Sequence, residues 1–172
     1  MCGIAGIINK NQQNLTTEIV SMCEIIKHRG PDGFGYYNGE NFALGHRRLS
    51  IIDLSENGKQ PMKYKDNSII TFNGEIFNYI ELREELLSVG YSFQSKTDTE
   101  VILVAYQHWG KECLNHFNGM FSFAIYDIKK NILFCARDRF GIKPFYYWQS
   151  KENFAFASEI KQFTVLENWK SI

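Results

Sequence analysis

The chain has 172 residues, 44% of them hydrophobic and 22% charged. That suits one globular domain with a sizeable core and excludes a disordered or fibrous chain. Its 19 Lys and Arg balance its 19 Asp and Glu, which argues against a dedicated nucleic-acid or membrane-surface binder.

The opening stretch Met1–Ile8 is apolar but short, has no basic leader and runs straight into polar Asn9–Asn14. No export signal and no membrane span are read here, so a soluble cytoplasmic protein is expected. In that compartment the four cysteines, Cys2, Cys23, Cys113 and Cys135, are free thiols. None forms a C-x-x-C pair, and His28, His46, His108 and His116 lack zinc-ligand spacing, so no metal is expected. Cys23, Cys113 and Cys135 sit among apolar neighbours and read as small core residues.

Gly3–Ile8 reads as a buried strand. Leu15, Ile19, Met22, Cys23, Ile25 and Ile26 recur at helical spacing, with Thr16 or Thr17 as cap, and His28–Gly33 ends the pattern as a loop. Strands are predicted over 34–37, 42–45, 68–72 and 91–94. Helices fit Ile76 to Val89, closed by Gly90, and Thr99 to Trp109, closed by Gly110. Strands over 121–126 and 132–136 flank a hairpin turn at Asp127–Asn131, and 144–149 and 154–157 supply two more. No repeat or linker divides the chain. Strands adjacent in sequence favour antiparallel pairing, and the expected class is α+β, two sheets with helices outside.

Cys2 follows the initiator methionine directly. Loss of Met1 would place its thiol beside a free α-amine, a group that titrates at about 7.7–8.0 and can act as general base toward its own side chain. Acyl chemistry at a thiolate needs donors for the oxyanion. The Asn73 amide and the Gly74 N–H make a reasonable pair, although Asn-Gly by spacing alone reads first as a turn. An amino-acid substrate needs an arginine for its carboxylate, which Arg47 and Arg48 offer, and acids for its ammonium, which Glu75 and Asp98 offer. Each has a plain structural explanation: a solvated arginine pair, and carboxylates complementing helix dipoles.

Taken together these residues resemble one family. MCGIAGI (Met1–Ile7), HRGPDG (28–33), GHRRLSIIDLS (45–55), GKQPM (58–62), NGEIFNY (73–79), TDTEVIL (97–103), NGMFSFAIYD (118–127), RDRFGIKPFYY (137–147) and ASEIK (157–161) run in order along nearly the whole chain. They resemble the class II, N-terminal-nucleophile glutamine amidotransferases. The resemblance is strongest to the glutaminase domain of glutamine-hydrolysing asparagine synthetases. It implies a four-layer αββα sandwich and a glutaminase in which Cys2 attacks the side-chain amide of L-glutamine. Asn73 and Gly74 would stabilise the oxyanion, and Arg48 rather than Arg47 would hold the substrate carboxylate. Leu49 and Ile51 would line the pocket, with Glu75 and Asp98 on the ammonium.

The expected unit is one glutaminase domain over 1–172, without cofactor or metal. A synthetase domain that uses ATP and Mg and receives ammonia has no counterpart here, because no Ser-Gly-Gly-rich phosphate loop occurs. It would be a partner domain or subunit, and a homodimer is allowed for. The alternatives are the glutaminase part of an amidotransferase acting on another carboxylate, such as a sugar acid, and a non-catalytic glutamine-sensing module. The 137–139 run, Arg-Asp-Arg, is expected to shape a loop, and His28 to order the loop beside it.

Overall fold

The structure, a computed structural model, describes residues 1–11, 14–49, 58–167 and 169. Among these residues nine strands form two antiparallel sheets. The first has the order β2-β3-β1-β9-β8, built from β1 (Gly3–Asn9), β2 (Gly33–Asn38), β3 (Phe42–Arg48), β8 (Tyr146–Gln149) and β9 (Asn153–Ala157). The second has the order β4-β5-β6-β7, built from β4 (Met62–Tyr64), β5 (Ser68–Ile76), β6 (Gly119–Asp127) and β7 (Ile132–Arg137). Helix α1 (Thr16–Glu24) covers the first sheet, and α2 (Tyr79–Ser88) and α3 (Asp98–Trp109) cover the second. The αββα arrangement expected from the sequence is the one observed.

Two-residue alternation along each strand divides the apolar side chains into three layers. Ala5 and Ile7 of β1, with Ala43 of β3, pack under α1 against Ile19, Met22 and Cys23. Ile70, Phe72 and Ile76 of β5 and Phe121, Phe123 and Ile125 of β6 pack under α2 and α3. The alternate positions meet between the sheets: Ile4, Phe42 and Leu44 from one side, Ile69, Ala124 and Tyr126 from the other, with Phe156. Gly6 also faces this middle layer, and an added Cβ would stand 2.0 Å from the Phe156 ring. Side chains from both sheets thus fill the same gap, as in other face-packed sheets.

Four readings of the sequence change. Residues 91–94 form no strand; the Gln94 and Ser95 N–H groups donate to the Glu100 carboxylate, and Tyr91 and Phe93 pack on the core beside α3. Ile76 ends β5 instead of opening a helix, because pairing with β6 continues to Ile76↔Gly119. The same pairing makes Asn73-Gly74 part of a strand, not a turn. Neither Thr16 nor Thr17 caps α1, whose N-cap position is Leu15 without a side-chain hydrogen bond. Among the described residues no helix is long and apolar enough to cross a membrane, and no group of His, Cys, Asp and Glu could hold a metal.

Candidate functional site

Gly3 pairs with Arg47 at the end of the β1·β3 ladder, so Cys2 comes level with Arg48. Alternation then sorts the two arginines. Arg47 faces α1, where it is buried, donates to the Cys23 carbonyl at 3.0 Å, pairs with Glu24 and lies over the Phe34 ring. Arg48 shares the inward parity of Phe42, Leu44 and His46, and so does Cys2 with Ile4. Arg47 therefore has a structural task, and Arg48 is the arginine presented on the inter-sheet side.

Strand β5 runs past β3 with its own polar groups facing in. Thr71 Oγ1 donates to the Gly45 carbonyl at 2.9 Å, and His46 Nε2 to the Phe72 carbonyl at 3.1 Å. Both strands advance in the same sense from these contacts. Asn73 and Gly74 therefore lie further along β5 in the direction in which β3 runs on to Arg47 and Arg48, toward the Cys2 end. Asn73 has the inward parity of Ile69 and Thr71. It is 2% exposed, and its Nδ2 has no hydrogen-bond partner. Buried amide donors are nearly always satisfied, so the empty donor makes Asn73 a candidate site residue.

Gly74 is glycine because β6 comes too close for anything else: a Cβ would lie 2.3 Å from the Met120 carbonyl oxygen and 2.7 Å from Phe121 Cα. Its N–H direction follows from the ladder, since alternate residues of a strand send their N–H groups to alternate sides. Phe72 N–H donates to Gln60 Oε1 at 2.6 Å and Ile76 N–H to Asp98 Oδ2 at 3.1 Å, both away from β6. Gly74 lies between them with the same parity, so its N–H points into the gap between Gln60 and Asp98.

Asp98, in the first turn of α3, is thereby docked on β5 next to Glu75. Burial pushes its pKa up to about 6, with the nearby Glu75 charge adding to the rise and the Ile76 and Thr99 N–H groups opposing it. A carboxyl held this high favours a cation beside it. Burial also raises the pKa of the Cys2 thiol, while the Leu49 N–H at 3.3 Å and the positive charges of the chain terminus, Arg48 and Lys143 pull it down. Leu49 thus meets the thiol through its backbone. Ile51 lies outside the described residues.

Arg29, Gln60, Thr99 and Glu159 help hold this arrangement but carried no assigned role in the sequence reading, and His28 carried a different one. Arg29 donates to the Cys2 carbonyl at 2.9 Å and to Glu159 at 3.2 Å. His28 bonds Glu159 at 2.9 Å instead of ordering the loop beside it. Gln60 reaches Thr99 at 3.3 Å with its other amide atom. All lie in the stretches HRGPDG, GKQPM, TDTEVIL and ASEIK, which was the available signal. Asp138 organises the 137–143 loop, as expected, by accepting from the N–H groups of Phe121, Phe140, Ile142 and Lys143. A cleft of about 420 Å³ at the opposite end of the middle layer is lined by Ile8, Tyr126, Leu133 and Phe154. The thiol on its wall, Cys135, is pushed up to about 12 by burial, so it is unreactive.

A family model described as a glutamine amidotransferase domain matches residues 1–171. The chain belongs to that family. This amidotransferase domain is 47% identical over 173 residues to "Asparagine synthetase [glutamine-hydrolyzing] 1" of Bacillus subtilis, covering 98% of this chain and 27% of the relative. It is 46% identical to "Putative asparagine synthetase [glutamine-hydrolyzing] 2" of Methanocaldococcus jannaschii, covering 94% and 34%. It is also 35% identical to "Amidase chyE" of Penicillium rubens, covering 95% and 26%. The domain therefore spans between a quarter and about a third of the length of these relatives. Among solved structures, a glutamine phosphoribosylpyrophosphate amidotransferase from B. subtilis superposes with a TM-score of 0.79 at 20% identity, covering 95% of this chain and 43% of that one. That likeness concerns the fold.

Proposed function

We propose that the domain hydrolyses L-glutamine and supplies the ammonia to an ATP-dependent synthetase domain or subunit of an asparagine synthetase-like enzyme. The observation that carries this reading is the unpartnered amide of buried Asn73, on the strand whose inter-sheet bonds to Gly45 and His46 lie toward the end of the first sheet where Cys2 and Arg48 come level. Removal of Met1, which is 58% exposed, frees the Cys2 amine. That amine takes the thiol proton as sulfur attacks the substrate amide carbon, and returns it to the departing ammonia. Asn73 Nδ2 and the Gly74 N–H receive the tetrahedral oxyanion. Water then cleaves the γ-glutamyl thioester to glutamate, and the thiol is restored.

Arg48 holds the α-carboxylate and Asp98 with Glu75 the α-ammonium, while Leu49 and Ile51 line the pocket. The chemistry uses no cofactor or metal in this domain; ATP and Mg act in the synthetase portion. The similarity to two prokaryotic asparagine synthetases supports aspartate as the final acceptor. Four free thiols support a reducing, cytoplasmic setting. The test is glutamate release, with peptide mapping of the adduct left by a glutamine-analogue diazoketone. The expected result is a chain lacking Met1, labelled on Cys2, that turns over glutamine while Cys2→Ala does not. Equal glutamate release from the parent and Cys2→Ala overturns the proposal.

A further inference from the structure

We propose that Arg29 is a positioning residue for Cys2: its guanidinium, clamped on the Cys2 carbonyl, keeps the α-amine freed by loss of Met1 in its unprotonated, base form. Arg29 Nε donates to the Cys2 carbonyl at 2.9 Å. The stem of Arg29 lies along the next residue, where a Cβ on Gly3 would stand 3.4 Å from Arg29 Cδ. Its side chain is only 9% exposed, and among the described residues its Nη2 is buried without a partner. A guanidinium stays protonated at any working pH. Cys2 therefore has a fixed, partly unsatisfied positive charge in direct contact with its main chain.

Glu159 holds the guanidinium in place, accepting from Arg29 Nη1 at 3.2 Å. The same carboxylate meets His28 Nε2 at 2.9 Å and Lys161 Nζ at 3.1 Å, so it is shared between two cations and does not cancel the charge of Arg29. Its neighbour Ser158 is bonded to both main-chain groups of Ile4, which ties this frame to β1. Carbonyl oxygen and nitrogen of one residue are about 3 Å apart, so Arg29 Nε comes within about 6 Å of the Cys2 nitrogen. A like charge at that range lowers the pKa of an amine. Arg48 and Lys143 are cations that act on Cys2 in the same sense, and burial favours the neutral thiol. Asp32, whose N–H donates to the Arg48 carbonyl, is exposed and screened by solvent. Glu75 and Asp98 on the β5 side are common to the wild type and to the variants below, so the difference between these isolates Arg29.

A free α-amine titrates at about 7.7–8.0. Lowered below that range, more of it is free at neutral pH to take the proton of the thiol. The proton passes from sulfur to the amine and leaves with ammonia, while Arg29 exchanges none. This consequence for turnover rests on the glutaminase reading; the lowered amine itself requires only the loss of Met1.

The test titrates the α-amine of the Met1-trimmed chain by trace acetylation with acetic anhydride across pH, the Cys2 thiol being blocked beforehand as its methyl disulfide. The wild-type amine should titrate about half a pH unit or more below that of a peptide of residues 2–8 blocked in the same way. Arg29→Gln should raise it by about half to one unit, and Glu159→Gln, which frees the guanidinium of its carboxylate, should lower it. An unchanged amine pKa in folded Arg29→Gln overturns the assignment. Should that variant not fold, the wild type decides: an amine that titrates no lower than the peptide's overturns it equally. Glutamate release adds a second arm. In Arg29→Gln the acid limb of kcat/KM should move up in pH with the amine, and Arg29→Lys should return it toward the wild-type position. A rate lowered equally at every pH, with the limb in place, would make Arg29 a structural support only. A lowered amine in a wild-type chain without turnover would count against the glutaminase reading and leave the role of Arg29 standing.

Discussion

Two side chains of the site sit in states that folding alone disfavours. Asn73 buries an amide with its donor unused, and Asp98 buries a carboxyl whose pKa stands near 6. For Asn73 the expected consequence is separable in kinetics: Asn73→Ala lowers kcat about a hundredfold or more with a smaller change in KM. Thermal stability should not fall in that variant, because the lost donor had no partner to lose. For Asp98 the folded pKa lies above the unfolded 3.8, so the native state holds the proton more tightly. Its contribution to stability is present below about pH 4 and disappears as pH rises through about 6. Asp98→Asn should therefore stabilise the apo domain at pH 7.5 by about 1–3 kcal/mol, with the gain fading toward pH 4 in a series of melts. The same variant should raise KM for glutamine at neutral pH. In the wild type, KM should rise as pH falls through 6, when the ammonium loses its ionised partner.

At the scale of elements, the site depends on where β5 loses its neighbour. Strand β4 pairs only as far as Met62↔Ile70, and beyond it the edge of β5 is met by side chains: Gln60 on Phe72 N–H, His46 on Phe72 O, Asp98 on Ile76 N–H. His46 is neutral there, its pKa lowered to about 4 by burial. Because Phe72 O only accepts, Nε2 carries the ring proton. Gln60→Ala removes one of these supports next to Asn73 and should cost about 1–3 kcal/mol in denaturant titration through the orphaned Phe72 N–H. Gly6→Ala, which drives a methyl into the Phe156 ring, should cost about 1–3 kcal/mol by overpacking.

Much of this was legible in the sequence. The β6–β7 hairpin, α3 and the buried first strand follow from periodicity and turn residues, and the family motifs single out Cys2, Arg48, Asn73 and Asp98 as the candidates on which the proposed function rests. Where the reading failed, a long-range contact overrode a local signal. Asn-Gly is a turn signal, but nine residues of pairing with β6 hold it extended. Tyr91 and Phe93 look like strand residues because they are aromatic, and they are aromatic because they pack on the helical layer. Three-residue β4 is too short to show any period.

At the scale of the whole molecule, the middle layer is apolar at Ile4, Phe42, Leu44, Ile69 and Phe156, while Cys2, His46, Asn73 and Ser122 bring polar groups to the same inward parity. His46 Nδ1 and Ser122 Oγ are, like Asn73 Nδ2, buried without partners. Rigidity of the apolar part should therefore set the geometry of the polar part. Ile4 and Ile69 are both fully buried in this layer, and truncation of either to Ala should cost about 2–5 kcal/mol. Only Ile4→Ala, two residues from the thiol, should also slow diazoketone labelling of Cys2, by about tenfold or more; Ile69→Ala should label at the wild-type rate.

The strand that follows Cys2 lies at the centre of its sheet, between β3 and β9. One of its edges closes early in synthesis, but the other closes only when Asn153–Ala157 has emerged from the ribosome. Ser158, just after, completes the clasp by receiving the Ile4 N–H on its hydroxyl at 2.9 Å and donating its own N–H to the Ile4 carbonyl. Pairing over so many intervening residues is slow. On the proposed glutaminase reading, loss of Met1 would fall in that interval, before the surroundings of the Cys2 thiol have closed. Strand order alone would then separate exposure of the amino terminus in time from closure of the sheet around it.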